Sequence, residues 1–533
     1  MKNLFFLGFI FLVLVSCKTS PEFREEIVNA ALKNGAQANE GSVRSLKFTK
    51  AWLTKTDSAT GLIPTNLTRA VDVWEPHNSA ADNYAFMVLT AYLLDKDLYN
   101  GELLEMLKTE QKLTSRVKSL PDIYSFSKLG FRDEKVNMGQ IIFGTSEYIK
   151  DGLIPLNEYI GKSPWQDRMM EMLDDLLPYI HPEELPDYFE RTASVEEVNG
   201  EMLQTLSRIY WMTGDHKYLD LAINIGDYYL LGKRDLSEIE YLRIRDHGCE
   251  IIGGLSELYV TLHFANPEKK ELYQEQFCKV LNRILEIGRN EDGLFYNAIN
   301  MKTGEIVDEK IVDNWGYVFD AYYSVWMVDK KEAYREAVLK GFTNLNENYR
   351  NYSWEGTSHD GYADALESGI NLYNREPVPK LKSWIDSEMQ VMFNMQQDDG
   401  IIGGWHGDGN FARTAIMYSL WKTQGAHIYP WREDVIIGAG KSGNETYFVI
   451  TCENEWEGRL VFDAPRHKTI LNLPIDYPRI NQFPEWFVAE KGKKYEILSS
   501  QNKLTVKYSG EKLQKGIQVK LPANQQIIIK IIS

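Results

Sequence analysis

The sequence predicts a mainly α protein, an (α/α)6 toroid of helical hairpins followed by a small C-terminal antiparallel β domain. Three observations lead there. Residues 22–430 repeat apolar side chains at i, i+3, i+4 and i+7 in stretch after stretch. Short Gly- and Asp-containing breaks separate those stretches. From about Trp431 the texture changes to short, β-branched, alternating runs. The chain has 533 residues, 44% apolar and 25% charged, which suits one large domain and one small one. A core of that size needs no disulfide or metal staple.

The amino terminus carries a message of its own. Lys2 supplies a positive end, Leu4 to Val15 form an apolar run, and Leu14-Val15-Ser16-Cys17 follows. That run is too short to span a bilayer as a stable helix and reads as a secretory signal. Its end resembles the bacterial lipobox, in which the chain is cut before Cys17 and that cysteine is lipidated. The expected organisation is therefore a signal peptide over 1–16, the toroid over 17–430 and the β domain over 431–533. The resemblance implies a lipid anchor in the cell envelope, on an outer membrane facing the periplasm or the outside. Cys249, Cys278 and Cys452 remain, an odd and widely spaced set. They form neither a disulfide framework nor a zinc site and read as buried small hydrophobes.

Within the helical body, Glu201 to Trp211 and Leu219 to Tyr229 are two amphipathic stretches. Between them Gly214 ends one helix and Asp215 caps the next, making a hairpin. A loose repeat extends this pattern. Thr60-Gly61-Leu62, Asp292-Gly293-Leu294 and Asp399-Gly400-Ile401 each follow a helix and start an excursion. The excursions end at polar-aromatic clusters, Glu75 to Tyr84, Asp313 to Tyr317 and Gly404 to Asn410, each opening a new apolar helix. An open solenoid would have repeats of more uniform length, so the pattern favours a closed ring. Runs at 445–451, 459–462, 468–473, 503–508 and 526–532 are expected strands of the β domain.

Lys plus Arg number 59 against 76 Asp plus Glu, for a formal charge of −17. No basic stripe of useful length occurs, which argues against a nucleic-acid partner. The 13 Trp, 30 Tyr and 22 Phe suit a carbohydrate platform, but most are expected in the helical core.

Four clusters carry chemical potential. Arg243, Arg245, Asp246 and His247 place cations, a carboxylate and an imidazole at a helix entrance, where they tune one another. Glu75, His77 and Asn78 with Asp82 and Asn83 form the second. His359, Asp360, Tyr362, Asp364 and Glu367 form the third, although Tyr362, Asp364 and Glu367 do not share one helix face. Trp405, His406, Asp408 and Asn410 with Arg413 form the fourth, glycine-rich enough for close substrate approach. The clusters are expected to converge on one mouth of the ring.

The hairpin texture, the Thr213 to Leu219 connection, Asp360 to Asp364 and Asp246-His247 together resemble the six-hairpin carbohydrate-active enzymes. These act on uronic-acid oligosaccharides as uronate lyases or dehydratases, including ulvan-oligosaccharide dehydratases, or as glucuronidases. The resemblance covers most of residues 22–430 and implies an oligosaccharide substrate containing uronic acid. Elimination from a uronate removes the C5 proton once the adjacent carboxylate is neutralised, and a second group helps the C4 substituent leave. His247, Asp246, His406 and Asp364 are the expected catalytic residues. His77, Asn78, Arg245, Trp315, Tyr362 and Arg413 are the expected substrate-binding residues. No cofactor is expected, and the acidic clusters lack a recognisable metal-ligand motif. Two alternatives stay open: hydrolysis by a carboxyl pair drawn from Asp246, Asp364 and Glu367, and a non-catalytic glycan-binding lipoprotein.

Overall fold

The computed structural model describes residues 23–183, 195–232, 234–403, 409–502 and 504–532, and of His247 the backbone alone. Cys17 and His406 lie outside the described residues.

Each hairpin joins an amphipathic outer helix to an inner helix buried on nearly all sides. The outer helix Glu102–Thr114 buries Leu103, Met106, Leu107, Glu110 and Thr114, a single stripe. The inner helix Ala85–Leu94 buries every residue from Ala85 to Ala91. In ring order the inner wall is built from Pro76–Tyr84 with Ala85–Leu94, Met138–Glu147 with Tyr148–Leu153 and Ile154–Ile160, then Val195–Thr213, Glu250–Ala265, Trp315–Asp329, His359–Arg375 and Asn410–Lys422. Neighbours touch in that order and the last packs on the first, so the ring is closed. The expected hairpin break is present, with Gly214 at φ 72° and the Asp215 side chain accepting from the Lys217 amide. At the Val195–Thr213/Glu250–Ala265 crossing the backbones nearly touch. A Cβ on Gly200 would lie 2.2 Å from the Glu250 carbonyl carbon, so only glycine fits there.

The outer-then-inner order makes all inner helices run the same way, and the two ends of the ring consequently differ. At the C-terminal ends of the inner helices the connections are short: 95, 161–163, 214–215, 266, 330–331 and 376–378. At their N-terminal ends the connections are long, such as 54–75, 115–137 and 288–314, and carry small antiparallel ribbons. One ribbon pairs Val73–Trp74, Tyr124–Ser125 and Gly130–Phe131; another pairs Leu242–Arg243, Tyr296–Ile299 and Ile306–Ile311. The mouth of the ring is this decorated end.

The C-terminal domain contains a five-stranded antiparallel sheet in the order Val435–Ser442, Glu445–Cys452, Gln526–Ile532, Lys494–Ser499, Thr505–Ser509. A three-stranded sheet orders Ile517–Leu521, Trp456–Val461 and His427–Tyr429. Phe448, Trp456, Leu460 and Ile529 belong to their common core. The first helix, Glu25–Leu53, packs on both the ring and the five-stranded sheet. Its Ile27, Val28 and Ala31 meet Tyr447, Val449 and Ile528.

The strand expected over 468–473 is corrected. Pro465 leads into a helical turn, Arg466–Thr469, and the segment that follows leaves the sheet for the closed end of the ring. There Arg479 pairs with Glu158 at 2.5 Å, Tyr477 donates to Glu257 at 3.0 Å and Asn371 donates to the Arg479 carbonyl at 2.9 Å. These polar partners replace the sheet ladder that the β-branched pattern suggested. Cys249, Cys278 and Cys452 are all buried, as expected.

Candidate active site

The helix His359–Arg375 forms the spine of the site. Ser358 caps it, accepting from the Gly361 amide at 2.8 Å. Asp360, Asp364, Glu367 and Asn371 follow at i, i+4, i+7 and i+11, one polar face descending the ring axis from mouth to floor. At the rim Asn410 donates to Asp360 at 2.8 Å. One turn deeper the Arg413 guanidinium bonds Asp364 at 2.8 Å and Glu367 at 3.1 Å. The Tyr317 hydroxyl bridges the same two carboxyls, 3.0 Å from Asp364 and 2.5 Å from Glu367. Burial holds the Glu367 carboxyl above its ordinary range even though Arg413 opposes that shift.

Asp313, at the entrance of the helix Trp315–Asp329, is the most perturbed acid of the mouth. Burial pushes its pKa well above the carboxylate range, and the nearby charges of Asp364, Glu355 and Asp246 push it further. Asp246 reaches this neighbourhood through backbone at φ 52° and pairs with Arg243. Asn314 donates to the Asp246 carbonyl at 2.8 Å, tying two helix entrances together. Arg245 is exposed at the rim and helps keep the Asp308 carboxyl low.

The neighbouring wall holds Glu75, His77 and Asn78. Asn78 donates to Glu75 at 2.6 Å, His77 Nε2 stands 3.3 Å from the same oxygen, and Thr65 also donates to it. Burial alone would raise the Glu75 carboxyl, but His77, Thr65 and Asn78 hold it below its usual value. The next turns of this helix run beside the mouth, since a Cβ on Gly409 would meet the Asp82 carbonyl at 2.3 Å.

A second charged layer lies beside this site. Lys150 bonds Asp151 at 2.7 Å and Glu250 at 2.6 Å, and Ser146 donates to Glu201 at 2.5 Å. Ligand oxygens of Glu147, Glu197 and Glu201 lie within 4.8 Å of one another, close enough to hold a cation. Burial and mutual repulsion also raise Asp151 and Glu201 well above the carboxylate range. Protonation is thus the other way that layer relieves its charge.

Among the residues expected from sequence, Asp246 and Asp364 lie near enough to act on the charge of Asp313, and Arg413 joins them through its pair with Asp364, with Arg245 exposed at the rim and His77 and Asn78 on the adjoining wall. The backbone of His247 enters the same mouth. Two expectations are corrected. Trp315 is fully buried and stacked edgewise among Phe319, Phe342 and Trp384, so its ring is core and presents no sugar platform. Tyr362 donates to the Tyr352 carbonyl at 2.7 Å, and the charge acting on it is Glu388. Two positions from Asp364 on a helix, it faces the outer layer instead of the axis. The sequence marked Asp313 to Tyr317 as a polar-aromatic helix opening without giving Asp313 or Tyr317 a role, and it did not mark Asn481. The signal available was the polar face 360/364/367/371 in an otherwise apolar inner helix.

No protein-family model matches the chain, and no curated protein does. Solved structures give matches of low identity. An inactive variant of an α-1,6-mannanase of Salegentibacter sp. HEL1_6, in complex with α-1,6-mannotetrose, is 10% identical, with 71% of this chain and 98% of that chain covered and a TM-score of 0.41. A cellobiose 2-epimerase from Bacillus thermoamylovorans is 13% identical over 56% and 83% of the two chains, with a TM-score of 0.39. A family 88 glycosyl hydrolase from Bacteroides vulgatus is 13% identical over 52% and 88%, with a TM-score of 0.37.

Proposed function

We propose that this protein acts on uronic-acid-containing oligosaccharides by elimination, as a dehydratase or lyase that leaves an unsaturated uronyl end. The observation that carries the reading is Asp313, a buried acid at the mouth of a closed helical ring whose pKa is raised by burial and by the charges of Asp364, Glu355 and Asp246, with Arg245 exposed at the rim and His77 and Asn78 on the adjoining wall. An elimination needs such an acid. The C5–H bond breaks, its electron pair forms the C4=C5 double bond, and the departing C4 oxygen takes the proton from Asp313. Arg245 and Asn78 are assigned to the substrate carboxylate, and the N-terminal ends of the inner helices face the same anion favourably. The proton from C5 goes to His247, the base assigned from sequence. Asp364 is already engaged by Arg413 and Tyr317, so its part is to support the field around Asp313. The mature protein is proposed to carry this site on a lipid anchor at Cys17, in the cell envelope.

Hydrolysis is the second reading, favoured by the carboxyls gathered near Asp313. The same Asp313 would donate to the glycosidic oxygen, with Asp246 or Asp364 as its partner. One experiment separates the readings. Uronyl oligosaccharides are incubated with the enzyme while the absorbance of a conjugated double bond and the chain length are followed. New absorbance with unchanged length identifies a dehydratase, and with shortening a lyase. Shortening without absorbance identifies a hydrolase. Binding with neither change would leave a glycan-binding lipoprotein and refute the enzymatic readings.

A further inference from the structure

We propose that Asn481, delivered by the C-terminal segment through the closed end of the ring, is a positioning residue of the active site. The inference rests on the catalytic reading of the mouth given above and adds that the C-terminal segment completes it.

Three polar groups of Asn481 are committed to charged residues from three inner elements. Its backbone N–H donates to Glu367 Oε1 at 2.6 Å. Its side-chain amide donates to Asp151 Oδ1 at 2.9 Å. Its side-chain oxygen accepts from Arg413 Nη1 at 2.8 Å. Arg413 Nη1 also donates to Asn410 at 2.8 Å, while Nη2 turns to Asp364 and Glu367. Two asparagines therefore clamp one end of the guanidinium and aim the other at the carboxyl that faces Asp313. An arginine side chain left with carboxylates alone has several ways to pair with them, and the clamp selects one.

The backbone geometry supports the same assignment. Asn481 sits at φ 60°, a conformation that asparagine tolerates better than most side chains, and it is buried. The turn around it is anchored independently. Arg479 pairs with Glu158, Asn371 holds the Arg479 carbonyl and Arg375 donates to Gln482 at 2.9 Å. Removing the Asn481 side chain thus leaves the segment seated and frees only what it clamps.

The full-length protein tests this with three variants. Asn481→Gly keeps the positive φ and the N–H to Glu367 but loses the clamp. Turnover should fall about 10²-fold, the scale expected for a misplaced group of about 1 Å, with KM nearly unchanged and the fold retained. Asn481→Asp keeps the acceptor for Arg413 but loses the donor to Asp151, and should recover part of the turnover. Gln482→Ala breaks a tie of the same turn that does not reach Arg413, and should turn over like the parent. A crystal structure of Asn481→Gly should show Arg413 moved off Asp364. Parental kcat in Asn481→Gly, an equal loss in Gln482→Ala, or an unmoved Arg413 would each overturn the proposal. If the parent turns over no uronyl oligosaccharide, the catalytic reading fails, while the position of Arg413 in the crystal still decides whether Asn481 holds it.

Discussion

Replacing Arg413 with Met tests the electrostatic logic of the site. Arg413 is buried against two carboxyls at 2.8 and 3.1 Å, and removing one partner of a buried pair typically costs about 3–5 kcal/mol. The lower end applies here, about 3 kcal/mol, because the Tyr317 hydroxyl and the Asn481 amide continue to donate to Glu367. The loss should depend on pH. Without Arg413 only the Tyr317 and Asn481 hydrogen bonds oppose the burial that already raises Glu367, so its folded pKa lies further above its unfolded value. A carboxyl raised in this way favours the folded state at low pH, and that contribution is lost as pH rises through the folded pKa. Arg413→Met should accordingly be least destabilised in acid and most destabilised in mild alkali. Adding Glu367→Gln removes the stranded charge and should recover about 1–2 kcal/mol of coupling. Guanidinium unfolding followed by tryptophan fluorescence at several pH values measures both effects. A pH-independent deficit, or strictly additive losses in the double variant, would show that Arg413 does not neutralise Glu367.

Asp313→Asn should lower turnover by about 10²–10⁴-fold, the usual contribution of a positioned acid. Because the folded pKa of Asp313 is raised, the variant should match the parent in stability below about pH 4 and exceed it at pH 8; equal stability at both pH values would place Asp313 outside the strained pocket. Gly200→Ala forces a Cβ to 2.2 Å from the Glu250 backbone. It should cost at least about 1–3 kcal/mol and disturb the Lys150–Glu250 contact, whereas an unchanged melting temperature would contradict the close crossing. Cys17→Ser should release the protein from the membrane fraction; undiminished membrane retention would rule out the anchor.

The sequence by itself determined the helical hairpins, their breaks and the change to β structure. Those features are local: apolar spacing selects helix or strand, and glycine and aspartate at a break terminate one helix and start another, as at Gly214 and Asp215. It also grouped Asp246, Asp364 and Arg413 into candidate clusters, since charged residues at the start of apolar helices stand out in any linear reading. Tertiary structure alone decided which of those helices face one another. Tyr362 and Asp364 are two residues apart, yet one serves the outer layer and the other the axis. Trp315 opens an inner helix beside the acidic mouth and still turns fully into the core. The run at 468–473 reads as a strand because its alternation is local, and it loses that structure because distant inner helices offer the segment better polar partners. Asn481 carries no local mark at all. Its role arises from closing a ring of more than 300 residues around it, and only that closure brings Glu367, Asp151 and Arg413 within hydrogen-bonding distance of a single side chain and its amide.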